Sequence, residues 1–299
     1  MVAALVVTLV RPATWVVALA GLLAGGGLLL AAGPILVLPT PTGLQNLLGA
    51  PVSTLVFGDP STEFVALVIG SLVTGSLLLG GGLIAGSWAE RRGLDLVLDA
   101  AADEGFLPAM PDLGGAPGTR SVAAVRLLSL LPPLVAAAIA WPTLYAVTYN
   151  ELILPGDLAT PLPIRVIGRI APLLAIVLVT WLLSDAAAAV GVRRLVLERR
   201  SVAAAWVLGW AGLLRRPHRV VATAVVGVLV TVVAAGPALA AAVLGWARVR
   251  EVLAVGRDPV VMAVAVATWV AIWLGALVMA GVGAAFRTAA WTLEGAGRR

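Results

Sequence analysis

From Pro12 to Gly58 the chain carries no charged residue, and this is only the first of six long apolar runs. A helix that crosses a bilayer needs about 20 mainly apolar residues, because each residue rises about 1.5 Å and the hydrocarbon core is about 30 Å thick. The runs read as spans over 14–38, 64–88, 127–149, 169–192, 220–246 and 259–286. Composition agrees: with 61% of residues hydrophobic and 12% charged, too little polar surface exists to coat a water-soluble globule, which uses about twice that share of charge. The expectation is an all-α polytopic membrane protein, a single integral membrane domain over 1–299 with six transmembrane helices. Amphipathic interfacial helices are expected in the loops 89–126 and 193–219, and a short one over 1–10. Pro132, Pro133 and Pro142 interrupt the third run and predict a kinked helix there. Cleavage of the first run as a signal peptide is not expected, because the run is long and apolar residues precede Arg11.

Six crossings put both termini on one side. Fifteen of the twenty arginines fall at the N-terminus, in loops 89–126 and 193–219 and in the tail after residue 286, against five in loops 39–63, 150–169 and 247–258. That asymmetry predicts cytoplasmic N- and C-termini in a bacterial inner membrane. The net charge of +5 is therefore read as topology rather than as a phosphate-neutralising footprint, and no nucleic acid partner is expected. The expected surroundings are the lipid bilayer, with a protein partner or a homo-oligomer in addition. Trp15, Trp88, Trp246 and Trp291 fall where interfacial aromatics would sit.

Residue counts exclude much chemistry. There is no cysteine, hence no thiolate nucleophile, disulfide or Cys metal site. Every basic side chain other than the single His218 is an arginine, which excludes a lysine Schiff base and a Walker lysine, so any nucleotide-driven motor is another chain. No cofactor is expected.

Three features remain as candidates. Asp95, Asp99 and Asp103 recur every four residues and share a helix face opposite Leu94, Val97 and Leu98. Carboxylates so placed could hold Mg2+ beside a lipid headgroup; the plainer reading is a solvated face on which Arg91 pairs with Asp95 at i,i+4. The fuller CDP-alcohol phosphatidyltransferase pattern is absent. Asp185 is the one acid in an otherwise apolar run, eight residues before Arg193. It either lies about 12 Å inside the fourth span, available for proton or cation coupling, or the helix starts earlier, near Ile164, with Arg165 and Arg169 snorkelling, and Asp185 joins Ser184 in capping an amphipathic cytoplasmic helix. Glycines such as Gly21, Gly25, Gly82 and Gly86 suit close helix crossings, with a cavity lining as the other reading.

The richest stretch runs from Arg193 to Arg219. Its middle, Ser201 to Leu214, is apolar but too short to cross, carries Trp206 and Trp210, and is flanked by Arg199, Arg200, Arg215, Arg216 and Arg219. Basic ends around an apolar, tryptophan-bearing helix suit a lipid- or partner-facing role. The order Glu198, Arg199, Arg200, Ser201, Ala205, Trp206, Trp210, Leu213, Leu214 and a basic cluster entering a span resembles six-helix bacterial membrane proteins of poorly characterised function. These are similar to the membrane domain attached to some glycerophosphodiester phosphodiesterases. The resemblance covers about forty of the 299 residues. It implies an all-helical membrane domain and not the phosphodiesterase chemistry, which belongs to a separate soluble barrel with no counterpart in these residues. Arg91-Arg92 and Arg193-Arg194, each followed by a short amphipathic run, form a faint internal echo.

The leading functional expectation is a non-enzymatic scaffold or permease-like membrane component. The alternatives are a small transporter or channel using Asp185, and a Mg-dependent lipid-headgroup enzyme using Asp95, Asp99 and Asp103.

Overall fold

The structure, a computed structural model, describes residues 1–27, 32, 42–43, 54, 58, 62–108, 115–154, 159–254 and 258–297. Nine α-helices are found among them: α1 Val2–Val10, α2 Ala13–Leu22, α3 Thr62–Asp103, α4 Thr119–Ser129, α5 Leu131–Ile153, α6 Leu162–Leu197, α7 Val202–Arg215, α8 Pro217–Ala254 and α9 Pro259–Ala296. The described residues contain no strand. Five helical runs, with α4 and α5 counted together, are long and apolar enough to cross a membrane; the bent pair of α1 and the helix through Gly27 makes a sixth if it is one span. The chain is thus an all-α polytopic membrane protein. Nearly all of 28–61, including most of the second half of the first expected span, lies outside the described residues.

The helices are longer than a bilayer requires. At about 1.5 Å per residue, the 42 residues of α3 extend about 63 Å, roughly twice the hydrocarbon thickness. Large exposed apolar side chains occupy only part of each helix: Val65 to Trp88 in α3, Ile164 to Leu183 in α6 and Val260 to Met279 in α9. The last two stretches each rise about 30 Å, the thickness that lipid has to cover. Beyond them the same helices turn inward on protein, burying Leu94, Val97 and Leu98 of α3, Ala186 to Val190 of α6, and Ala280, Ala285 and Phe286 of α9. The expected spans over 169–192 and 259–286 lie within α6 and α9, whose far ends are covered by protein, a difference that hydropathy does not see because it scores an alanine- and valine-rich helix alike in either setting.

The same burial changes the reading of 89–103. This stretch is no separate interfacial helix but the continuation of α3. Gly93 fits closely there, since a Cβ on it would meet Thr288 Cγ2 at 3.4 Å and Val17 Cγ1 at 3.9 Å. The helix ends where Gly105 takes φ +72°: the Phe106 N–H donates to Ala101 O at 2.9 Å and the Gly105 N–H to Ala102 O at 3.1 Å, a Schellman closure. In the third span, Pro132 and Pro133 fall in the first turn of α5, where a missing N–H costs little, so only Pro142 is interior. At the N-terminus, Pro12 separates α1 from α2 and the pair bends by 103°. The Trp15 indole N–H donates to Thr8 O at 2.7 Å across that bend.

The chain forms two compact units, the first comprising 1–37, 81–128 and 186–299, the second 38–80 and 129–185. In the first unit, α8 and α9 pack antiparallel on small residues: a Cβ on Gly283 would lie 2.6 Å from Thr231 Cα, and one on Gly245 3.2 Å from Trp269 Cδ1. Ala4 and Val7 of α1 are buried with Val97, Ala101, Phe286 and Ala289, so the N-terminal helix is part of this core rather than a loose interfacial segment. In the second unit Leu162, Val166 and Ile170 of α6 pack on Leu144, Val147 and Leu152.

Candidate functional site

Within the first unit, helices α3, α4 and α6 each deliver one charged side chain to a common point. Glu90 follows the last lipid-facing residue of α3 by one turn or less, Arg126 lies in the last turn of α4, and Arg193 lies near the end of α6. Arg126 grips Glu90 with two hydrogen bonds, Nε to Oε2 at 2.8 Å and Nη2 to Oε1 at 2.9 Å. Arg193 donates from Nη1 to the same Oε1 and also to Ala189 O at 3.1 Å. The Arg193 side chain is 5% exposed and that of Glu90 11%. A carboxylate held in bidentate fashion by one guanidinium and capped by another keeps its charge although it is buried. Such a knot fixes three helices and gives each oxygen of Glu90 at least one arginine donor, so it is arranged for holding rather than for proton transfer.

Next to the knot lies a cleft lined by Arg193, Arg194, Leu197, Glu198, Trp291 and Glu294. Its charges are also paired: Arg194 donates to Glu198 one turn on, and the Thr223 hydroxyl donates to Glu294. Arg193 Nε and Trp291 Nε1 are buried without a hydrogen-bond partner among the described residues. Trp291 is 4% exposed, a core residue rather than an interfacial one. The second unit has its own knot. Glu151 of α5 accepts from Arg165 Nη1 at 2.8 Å and from Arg169 Nε at 2.7 Å, both on α6. These two arginines do not simply snorkel outward; they converge on a carboxylate that is 2% exposed.

The three aspartates of α3 separate. Asp95 pairs with Arg91 at i,i+4, Asp103 pairs with Arg11 of the α1–α2 bend, and Asp99 is exposed between them. Arg91 also donates from Nε to Pro117 O at 3.2 Å. Among the described residues no three His, Asp or Glu side chains come together as a metal site. Asp185 lies inside the unbroken α6, so neither it nor Ser184 caps a helix start. It is half-buried, follows a buried Ser184 whose hydroxyl has no partner, and stands two residues after Leu183, the last exposed leucine of α6.

Helix α7 is where the sequence places it, but its setting differs. Ser201 caps it by accepting from the Ala204 N–H at 3.4 Å. Arg199 before it takes φ +51°, an unusual left-handed residue that turns the chain back on itself. Helix α7 then runs antiparallel to the end of α6: a Cβ on Gly191 would lie 2.9 Å from Ala205 O, and one on Gly209 2.4 Å from Ala187 O. Ala205, Gly209 and Leu213 are buried by this contact, Trp206 and Trp210 are half-buried, and Arg199, Arg200, Arg215, Arg216 and Arg219 are exposed. Sequence reasoning missed Glu90, Arg126, Arg193 and Glu151. The only available signal was that Glu90 and Glu151 stand just beyond apolar runs with arginines elsewhere to match them. No protein-family model, curated protein or solved structure matches this chain.

Proposed function

We propose that the protein is a non-enzymatic, multi-pass component of a bacterial inner membrane, a scaffold or permease-like subunit with both termini cytoplasmic. One observation carries the reading: four carboxylates that could have worked chemically are gripped by arginines. Glu90 and Glu151 are each held by two, and Asp95 and Asp103 by one each. Charge used this way fastens helices together. The orientation is supported by the bias of fifteen arginines to five between the two sides, and the likeness of Arg193 to Arg219 to six-helix bacterial membrane proteins fits the same reading. The test is reconstitution of the purified chain alone in liposomes. No turnover of phospholipid, with or without Mg2+, is expected; metal-dependent headgroup release lost on Asp95→Ala would overturn the proposal.

A second reading, transport through Asp185, draws on the half-buried carboxyl and the unpartnered Ser184 hydroxyl beside it inside a continuous helix. It requires that Asp185→Asn abolish proton or cation flux into the same liposomes while leaving folding intact. The scaffold reading expects no flux from the wild-type chain to abolish.

A further inference from the structure

We propose that the corner formed by Leu214, Arg215, Arg216 and Arg219 is a binding surface for anionic phospholipid headgroups, and that Arg199 and Arg200, at the other end of α7, are not part of it. This names a partner for the scaffold reading. It does not stand or fall with it, since turnover in liposomes would sink that reading and leave the lipid preference untouched.

The direction of α7 decides where its charges sit. Because the helix runs back along α6, its two basic ends lie at different depths. Fourteen residues rise about 21 Å, which separates Ser201 from Arg215 by most of a bilayer leaflet. Near the far end, Ala205 meets Gly191. At the near end, Leu213 packs with Ala186, Val190 and Val220. The last of these contacts falls where lipid-facing surface begins: the exposed valines of α8 start at Val221, next to the buried Val220. The corner between α7 and α8 is therefore at the edge of the apolar band, continuous with surface that lipid already covers.

Its chemistry matches a headgroup. Leu214 is 76% exposed and Val207 56%, on the helix face opposite Ala205, Gly209 and Leu213. Arg215, Arg216 and Arg219 are exposed, with His218 among them and no acid between Leu214 and Val220. The first turn of α8 begins at Pro217, so the positive end of its dipole adds to the same field. An apolar side chain reaching toward acyl chains beside three guanidiniums at phosphate level is how a cationic interfacial segment meets an anionic leaflet. Arg199 and Arg200 have no such neighbour; Arg200 Nε lies 3.4 Å from Glu198 Oε2, and the Arg199 guanidinium rests against Gly115.

The experiment uses the full chain in nanodiscs of phosphatidylcholine containing none or about a third phosphatidylglycerol, with retained lipid counted by native mass spectrometry. An arginine near an anionic surface contributes about fivefold, so Arg215→Gln/Arg216→Gln/Arg219→Gln should lose the phosphatidylglycerol preference by on the order of a hundredfold. Arg199→Gln/Arg200→Gln should retain it. In the wild-type chain the preference should weaken as salt rises, a readout that needs no variant to fold. The natural absence of cysteine makes Leu214→Cys a unique spin-label site, and its label should be reached by oxygen and shielded from an aqueous nickel relaxant. Equal loss in both arginine variants, no lipid preference at low salt, a label open to nickel, or label-to-label broadening that marks a second copy on this face would each overturn the proposal.

Discussion

Each unit of the protein buries one glutamate between two arginines, yet the two knots differ in reach. Glu151 takes Arg165 and Arg169, 14 and 18 positions along the chain, so it closes a local hairpin between α5 and α6. Glu90 takes Arg126 and Arg193, 36 and 103 positions away, so it fixes three helices that share no turn. Exposure differs as well: Arg169 is 59% exposed, whereas Arg193 is 5% exposed. If Glu151 is lost, one arginine can relax into water or headgroups. If Glu90 is lost, Arg193 remains buried without its counter-charge. The same chemical device therefore latches a hairpin in one unit and serves as a keystone in the other.

Glycine packing follows the same division. In the first unit, Gly82, Gly191, Gly209, Gly281 and Gly283 would place a Cβ within 3 Å of backbone belonging to another helix. In the second, Gly70, Gly75, Gly80 and Gly168 would meet nothing within 4 Å. The first unit holds its helices at distances only glycine permits, and the second faces its glycines outward. The small-residue pattern at Gly21, Gly82 and Gly86 was legible as a crossing site, but Gly25, Gly80 and Gly81 turn out to be open among the described residues.

These contrasts can be broken by measurement, starting with the keystone. Glu90→Gln is expected to lower unfolding free energy by about 3–5 kcal/mol, the usual cost of leaving a buried charge unpaired, measured by SDS titration in mixed micelles. Glu151→Gln should cost less, about 1–3 kcal/mol, because Arg165 alone stays partly buried. A loss at Glu151 as large as at Glu90 would erase the distinction between latch and keystone. Gly209→Ala should cost about 1–3 kcal/mol through its clash with Ala187 O. Gly75→Ala, with open space around it, should be neutral or gain up to about 1 kcal/mol from helix propensity. Equal responses at the two glycines would mean the first unit is not packed as closely as described.

Much of the fold was legible in the sequence, because apolar runs and arginine flanks are local statements about solvent. Ser201, Gly105 and Asp258 begin or end helices through contacts that appear only in the structure; Asp258 caps α9 by accepting from the Val260 N–H at 2.8 Å. The Arg91–Asp95 pair could be read because i,i+4 spacing makes neighbours on any helix. Asp103 could not be matched to Arg11, 92 positions away, nor Glu90 to Arg193, since only packing brings them together. Hydropathy likewise could not show that 186–192 and 280–286 are covered by protein rather than lipid.

The central claim is that charge in this chain fastens helices rather than performs chemistry, and it is tested most directly at the keystone by a double-mutant cycle. Glu90→Gln, Arg193→Met and the combined variant are compared with the wild-type chain in SDS unfolding. Strong coupling is expected, with the double variant more stable than the sum of the single losses by about 2–3 kcal/mol, because the buried Arg193 is no longer orphaned and the remaining Arg126, 25% exposed, can turn to solvent. Losses that add to within about 0.5 kcal/mol would contradict it.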